Sequence, residues 1–225
     1  MLSQTDLTYI NLYISYLILA IQLGTIILFI SRYESFSKSF YIFTGFLAFS
    51  FIITSVSLFL WHNGENNLPL LHLYTLGEFL LLSWFYKEII GLRNFSHLRF
   101  YIFIGLITVL LILNSIFVQP ISQFNTYAKT LVQIVLIAYS IFYFYYLTNR
   151  EDTESSEQKS LRLINSAMIV YYSGSLFIFM FSNYFIERTD NLIFWVFNSL
   201  LNLIFNLLVL VAIWRAAPKR MKSLF

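Results

Sequence analysis

Long apolar stretches, separated by short polar segments, run along the whole chain. Each stretch has 21–23 residues, enough for a helix to cross a hydrocarbon core of roughly 30 Å. The stretches are continuous runs of Leu, Ile, Phe, Tyr and Val without alternating polar positions, which favours helices over barrel strands. The predicted helices span residues 8–30, 40–61, 68–90, 98–118, 127–147, 163–185 and 192–214. The sequence therefore predicts an all-α transmembrane fold, a seven-helix bundle.

The composition is that of a membrane protein and leaves no room for a soluble domain. Of the 225 residues, 59% are hydrophobic and only 11% are charged, whereas soluble domains have about 25% charged residues. The longest predicted gap, 148–162, holds 15 residues, too few for a folded domain. We therefore expect residues 1–225 to form a single polytopic membrane domain. The gap mixes acidic and basic residues, and it is interpreted either as a solvated linker or as a docking site for a cytoplasmic signalling protein.

The distribution of Lys and Arg predicts the orientation of the bundle. The loops after helices 1, 3 and 5 and the tail after helix 7, with the helix ends beside them, carry twelve of these residues. The N-terminus and the other three loops carry two, Lys129 and Arg188. Since cytoplasmic loops are enriched in Lys and Arg, we expect an external N-terminus and a cytoplasmic C-terminus in the inner (plasma) membrane.

Residue counts exclude several kinds of chemistry. The chain has no cysteine and three histidines, so disulfides, thiolate catalysis and Cys-ligated metal centres are excluded. His62 and His72 share the outer side, whereas His97 lies on the cytoplasmic side, and the spacing of the first two matches no known metal motif. We therefore predict no metal site and no cofactor. No segment forms the basic groove that a nucleic-acid partner would need.

One carboxylate lies deep in a predicted helix. Glu78 is ten residues into helix 3, about 15 Å along its axis and therefore near the bilayer midplane. Tyr74 and Thr75 lie on the same face, and Tyr74 is placed to donate a hydrogen bond to Glu78. His72 lies about 120° away around the helix. Charged groups are costly in a bilayer, so Glu78 is interpreted either as a hydrogen-bonding group between helices or as a contact for a ligand or proton.

Amide side chains recur every four residues along helix 7. Asn198, Asn202 and Asn206 lie on one face, with Trp195 on nearly the same side. Lipid cannot satisfy amide groups, so this stripe is expected to face protein or water. It is interpreted either as packing between helices or as the wall of a water-filled cavity or ligand site.

Further polar residues in the helices add to these two features. They are Gln22 in helix 1, Lys129 and Gln133 in helix 5, and Tyr172, Ser175 and Asn183 in helix 6. Lys129 and Gln133 share a face because they are four positions apart. We expect Lys129, near the outer end of helix 5, to extend outward to the membrane interface. The alternative is an ion pair between Lys129 and Glu78.

The layout resembles that of rhodopsins and G-protein-coupled receptors, which also have an external N-terminus, seven helices and a cytoplasmic tail. Glu78 is similar to the carboxylate that microbial rhodopsins carry in helix 3. Residues 191–214 contain no lysine, and this excludes a retinal Schiff base of the rhodopsin pattern.

A second resemblance is to uncharacterised seven-helix membrane proteins of the Bacteroidetes group. It is carried by the pattern His72-x-Tyr74-x-x-x-Glu78-Phe79, together with Trp195, Asn198 and Asn202. This resemblance implies the seven-helix fold and no particular activity.

We interpret the chain as a receptor-like or sensory subunit, a binding protein rather than an enzyme. A polar cavity open to the outside, with His72 near its mouth, would bind a small ligand or a proton and signal to a cytoplasmic partner. Its predicted residues are Glu78, Tyr74, His72, Thr75, Asn198, Asn202, Trp195, Gln133, Lys129 and Gln22. The alternatives are a small-solute transporter, a lipid- or isoprenoid-modifying enzyme with Glu78 as general acid or base, and a purely structural subunit.

Overall fold

The computed structural model describes residues 3–91, 97–149, 155–181 and 191–216. Within these residues it contains seven helices long and apolar enough to cross a membrane, and no strand. The helices are α1 (Gln4–Ile30), α2 (Lys38–His62), α3 (Leu68–Ile90), α4 (His97–Leu113, continued by a π-helical turn at Asn114–Val118), α5 (Thr126–Thr148), α6 (Ser156–Met180) and α7 (Asn191–Ala216). The predicted all-α, seven-helix bundle is confirmed.

Local capping signals determine where several helices begin. At the start of α1, the hydroxyl of Ser3 accepts a hydrogen bond from the backbone N of Asp6 at 3.2 Å, and Asp6 accepts one from the backbone N of Ser3 at 3.0 Å. Ser155 and Gln158 form the same reciprocal pair at the start of α6. Pro69 lies in the first turn of α3, where its missing N–H removes no helical hydrogen bond.

Helix α6 differs most from the sequence prediction, which placed it at 163–185. It begins at Ser156 and ends at Met180. The segment 156–162 is polar, but the capping pair lets the helix start before the apolar stretch does. The second half of gap 148–162, expected to be a linker or docking site, is therefore helical. Residues 150–154 of that gap lie outside the described residues.

Six of the helices form a closed ring, and α4 packs against it. Helix α1 contacts α2, α2 contacts α3, α3 contacts α5, α5 contacts α6, α6 contacts α7, and α7 returns to α1. Helix α4 contacts α3 and leaves most of its side chains exposed. Short connections make consecutive helices antiparallel. The first end of the bundle therefore holds the N-termini of α1, α3, α5 and α7, and the second end holds their C-termini.

The surface of the bundle is apolar and its interior contains polar groups. Tyr13, Phe59, Leu98 and Phe117 are 67–75% exposed. Nineteen polar or charged side chains are buried among the described residues. This is the reverse of a water-soluble protein, in which large apolar patches are hidden and charges are solvated. It is the arrangement that a bundle surrounded by lipid requires.

Gly77 lets α2 and α3 approach each other closely at the level of Glu78. A Cβ atom at this position would overlap the ring of Phe49 on α2. The same ring stacks on Tyr74, with centroids 6.1 Å apart and planes 6° from parallel. Because Gly77 has no side chain, the Phe49 ring can pack against α3. The same ring holds Tyr74 in position.

Candidate functional site

A buried ion pair joins α3 to α5. Lys129 Nζ donates to Glu78 Oε2 at 2.6 Å, and the two side chains are 1% and 0% exposed. The hydroxyl of Tyr172 on α6 donates to the other carboxylate oxygen, Oε1, at 3.1 Å. Removing one member of such a pair would leave a buried charge without compensation. The carboxylate of Glu78 therefore connects three neighbouring helices of the ring.

The position of Lys129 corrects the expectation that it extends outward to the membrane interface. Its ammonium nitrogen lies 4.7 Å from the ring centroid of Tyr74 and 5.3 Å from that of Phe179, within the range of cation–π attraction. A lysine can reach the interface along the lipid-facing side of a helix. Lys129 instead shares its face with Gln133, which is 0% exposed. From this interior face, Glu78 is the partner within reach.

A cavity of about 310 Å³ lies between the first end and the ion pair. Ser57 and Asn67 line it beside the connection between α2 and α3, and Tyr74 and Lys129 line it deeper in the bundle. All six helices of the ring, from α1 to α7, contribute residues to its wall. Pockets for small molecules usually have volumes of roughly 300–1,000 Å³, so this cavity is at the small end of that range.

The wall of the cavity combines aromatic rings with many hydrogen-bonding side chains. Trp195 on α7 packs against Phe124 and Phe179, with ring centroids 5.2 and 5.9 Å away. On the opposite side, α2 contributes the hydroxyls of Ser50 and Thr54. Hydrogen-bonding groups placed beside aromatic surface can orient a bound small molecule.

The structure places the predicted site residues at different distances from this cavity. Four of them line it, namely Tyr74, Lys129, Trp195 and Asn202. Glu78 is bonded to Lys129 directly. Gln22 lies one contact further away, because its Nε2 donates to the Ser50 hydroxyl at 3.4 Å. The side chain of Tyr74, expected to bond to Glu78, has its ring stacked on Phe49 and 4.7 Å from the ammonium nitrogen of Lys129.

Thr75 and Gln133 make contacts between helices rather than line the cavity. Asn125 Nδ2 donates to Thr75 Oγ1 at 2.8 Å, which ties the start of α5 to α3. Gln133 Nε2 donates to the Ser175 hydroxyl at 2.8 Å, which ties α5 to α6. Sequence reasoning missed Asn125, since an asparagine just before a helix is the ordinary signal of an N-cap.

His72 faces away from Glu78, as the helical spacing predicts, but it does not line the cavity mouth where we expected it. Its Nδ1 lies 2.8 Å from the Ser115 hydroxyl, and its Nε2 lies 3.0 Å from the backbone oxygen of Gln123. The side chain is only 8% exposed, and a buried imidazole needs partners for both nitrogens. His72 therefore links α3 to the π-helical turn of α4 and to the segment before α5.

The asparagines of α7 lie in two kinds of surroundings. Asn206 is 2% exposed and donates from Nδ2 to both oxygens of Asn202, each at 2.8 Å. Asn202 also lines the cavity, whereas Asn198 is half-buried with an Oδ1 that has no hydrogen-bond partner. The hydrogen bonds of Asn206 are therefore made within α7 itself, and Asn202 is the member of the stripe that lines the cavity.

A second buried polar cluster lies nearer the second end and gave no clear sequence signal. The hydroxyl of Tyr86 on α3 donates to Asn165 Oδ1 on α6 at 2.7 Å and lies 2.6 Å from the Ser140 hydroxyl on α5. Asn165 Nδ2 donates to the backbone oxygen of Ser140 at 3.0 Å. Sequence reasoning missed Asn165, although an amide inside the predicted helix 163–185 is a signal that could have found the cluster.

Comparisons with protein-family models, curated proteins and solved structures found no match. Among the described residues, no group of three or more acidic or histidine side chains could hold a metal ion. The fold and the site define the class of the molecule: it is an integral, multi-pass membrane protein. Its helical ring encloses a cavity that ends at a buried ion pair.

Proposed function

We propose that this chain is a receptor-like, sensory membrane protein that binds a small molecule in the cavity and reports it through helix packing. In this proposal the chain lies in a bacterial inner membrane, with its first end outside and its second end facing a cytoplasmic partner protein. The twelve-to-two distribution of Lys and Arg supports this orientation. The resemblance to seven-helix proteins of the Bacteroidetes group supports the bacterial membrane.

The observation that carries the proposal is the double role of Lys129. It lines the cavity, and it forms the ion pair that joins α3 to α5. A molecule that contacts the Lys129 ammonium group from the cavity alters the interaction between that group and Glu78. Since a ligand shifts a conformational equilibrium by binding one state better than another, occupancy of the cavity is coupled to the packing of these helices.

The cavity wall indicates the class of molecule. Glu78 and Lys129 together are neutral, so an uncharged ligand introduces no unpaired charge into the buried site. Trp195 and Phe179 provide aromatic surface, and Lys129 and the α2 hydroxyls provide hydrogen bonds. We therefore expect a small, partly apolar and uncharged molecule with at least one hydrogen-bond acceptor. A proton is the smallest alternative, because protonation of Glu78 would remove the charge that holds Lys129.

A small-solute transporter is the second candidate. The amides of Asn202 and Asn206 favour it, since they extend polar character along α7 beyond the cavity. The next layer toward the second end is filled, however: Leu82, Phe85 and Leu136 are 0% exposed. A solute could pass only if these side chains separated, so this packing favours a binding role.

An enzyme that modifies lipids or isoprenoids has less support. Its general acid or base would be Glu78, which must exchange a proton with a substrate. Both oxygens of that carboxylate already accept hydrogen bonds, one from Lys129 and one from Tyr172.

Native mass spectrometry of the full chain, purified gently from its own membranes, tests the proposal. We expect a reproducibly bound small molecule that is lost in Thr54→Leu, which fills part of the cavity without touching the ion pair. Ser173→Leu is the matched control, because Ser173 is exposed on the outside of α6. Retention of the molecule in Thr54→Leu, or the absence of any bound molecule, would contradict a ligand receptor.

Reconstitution into liposomes distinguishes a receptor from a transporter. A receptor should bind the co-purified molecule without moving it across the bilayer, whereas a carrier should show flux that saturates with concentration. Saturable flux lost in Thr54→Leu would replace the receptor with the transporter.

A further inference from the structure

A second cavity, of about 450 Å³, lies at the second end between α6 and α7. It is separate from the ligand cavity, and no part of the proposed function uses it. Three basic and three hydroxyl side chains line it, namely Lys159, Arg162, Arg215, Ser156, Ser160 and Ser166. Three formal positive charges around one cavity are suited to an anion.

The backbone adds to this positive character. The cavity includes Ser156, the first residue of the 25-residue helix α6. The N-terminus of a helix carries partial positive charge, and its N–H groups favour bound phosphate. Glu157 and Gln158, in the same turn, line a different cavity on another face of α6. The acidic residue of this turn therefore does not lie in the basic cavity.

One buried hydroxyl in the cavity has no partner. Ser160 is 2% exposed, and its Oγ makes no hydrogen bond. A buried polar atom without a partner is uncommon and calls for an explanation. An oxygen of a bound anion would accept a hydrogen bond from this hydroxyl. Within the described residues, Lys159 and Arg215 form no ion pair that would occupy them instead.

The level of the cavity in the bundle indicates where the anion comes from. Arg215 is the penultimate residue of α7, and Trp214 beside it is 62% exposed. Exposed tryptophans near the ends of membrane helices commonly lie at the headgroup level. Lys159, Arg162 and Arg215 are exposed as well, so their charged groups can reach that level from the side of the bundle.

We propose that this cavity binds a phosphate group, and that the phosphate is carried by the headgroup of an anionic phospholipid. The guanidinium and ammonium groups bind the phosphate oxygens, the α6 N-terminus adds its partial charge, and Ser160 donates the remaining hydrogen bond. The lipid would hold the start of α6 against the end of α7.

Native mass spectrometry of the delipidated full chain tests this site with three probes. They are phosphatidylglycerol, phosphatidylcholine with the same acyl chains, and inorganic phosphate. We expect phosphatidylglycerol to bind more tightly than phosphatidylcholine. The Lys159→Gln/Arg215→Gln variant should weaken phosphatidylglycerol binding on the order of tenfold, and Ser160→Ala should weaken it less.

A matched control removes two charges from the same end but outside the cavity. Lys87→Gln/Arg99→Gln does this, and we expect it to leave phosphatidylglycerol binding nearly unchanged. Equal losses in both double variants, or none in either, would overturn the proposed site. Tight binding of inorganic phosphate that displaces the lipid and depends on Lys159 and Arg215 would keep the phosphate site but overturn the lipid as its source. Circular dichroism of each variant confirms that the helices are intact.

Discussion

Glu78 and Lys129 are 51 positions apart in the chain, yet their side-chain atoms meet at 2.6 Å with at most 1% of either side chain exposed. Their attraction depends on both charges being present, because each is costly to bury alone. The pair therefore selects how α3 and α5 lie against each other, and this dependence can be measured.

Replacing one member of the pair should cost more stability than replacing both. We expect Glu78→Gln and Lys129→Met each to lower the free energy of unfolding by about 3–5 kcal/mol, since each leaves the other charge uncompensated. The double variant should be more stable than either single variant. Unfolding in mixed micelles, followed by circular dichroism, gives the double-mutant cycle. Losses that simply add would contradict the pairing.

A side chain at Gly77 should disturb the contact between α2 and α3. We expect Gly77→Ala to lower the free energy of unfolding by about 1–3 kcal/mol, because its Cβ overlaps the Phe49 ring. Gly45→Ala is the control, since a Cβ at Gly45 meets no atom within 4 Å. A second change, Phe49→Ala, should make the first one nearly neutral. Equal effects of Gly77→Ala and Gly45→Ala would show that the overlap has no consequence.

Replacing members of the polar cluster around Asn165 should lower the free energy of unfolding, because each change leaves buried groups without a hydrogen-bond partner. Asn165→Leu leaves the Tyr86 hydroxyl and the Ser140 oxygen with fewer partners, and we expect a loss of about 1–3 kcal/mol. Tyr86→Phe removes the hydroxyl that donates to the buried Asn165 Oδ1 and should cost a similar amount. The same micelle unfolding assay measures both. A neutral Asn165→Leu would mean that the cluster is not formed in the membrane.

Trp84 and Trp195 should respond differently to brominated lipids, which quench tryptophan fluorescence on contact. Trp84 is 52% exposed on the outside of α3, whereas Trp195 lines the cavity between helices. In chains that keep a single tryptophan, we expect strong quenching of Trp84 and weaker quenching of Trp195. Similar quenching at both positions would place Trp195 against lipid and remove it from the cavity wall.

The helices were predictable because apolar residues occur in every turn of each helix. Apolar stretches long enough to cross a bilayer identify each helix, and its position is then correct to within a few residues. The start of α6 was not found at Ser156, because the segment before the apolar stretch is polar. There the capping pair of Ser155 and Gln158, not hydrophobicity, determines the boundary.

The site was only partly predictable because it depends on which faces meet. Glu78 stands out in an apolar helix, and its partner Lys129 stands out equally, but their contact follows from the packing of α3 on α5. From the sequence alone, the Lys129 side chain could extend either to the membrane interface or into the interior of the bundle. Tyr172 and Asn125 are common residue types whose roles appear only when α6 and the start of α5 are in place.

The closed ring also has a consequence for synthesis. Helix α1 is made first and its neighbour α7 last, and the contact between Ser199 and Asn11 joins positions 188 residues apart. Until α7 is inserted, the ring of helices is open, and Asn11 has no hydrogen bond from Ser199. Since every helix of the ring lines the cavity beside the ion pair, this cavity is complete only after α7 is in place, and the molecule that we propose to bind there can stabilise only the finished bundle.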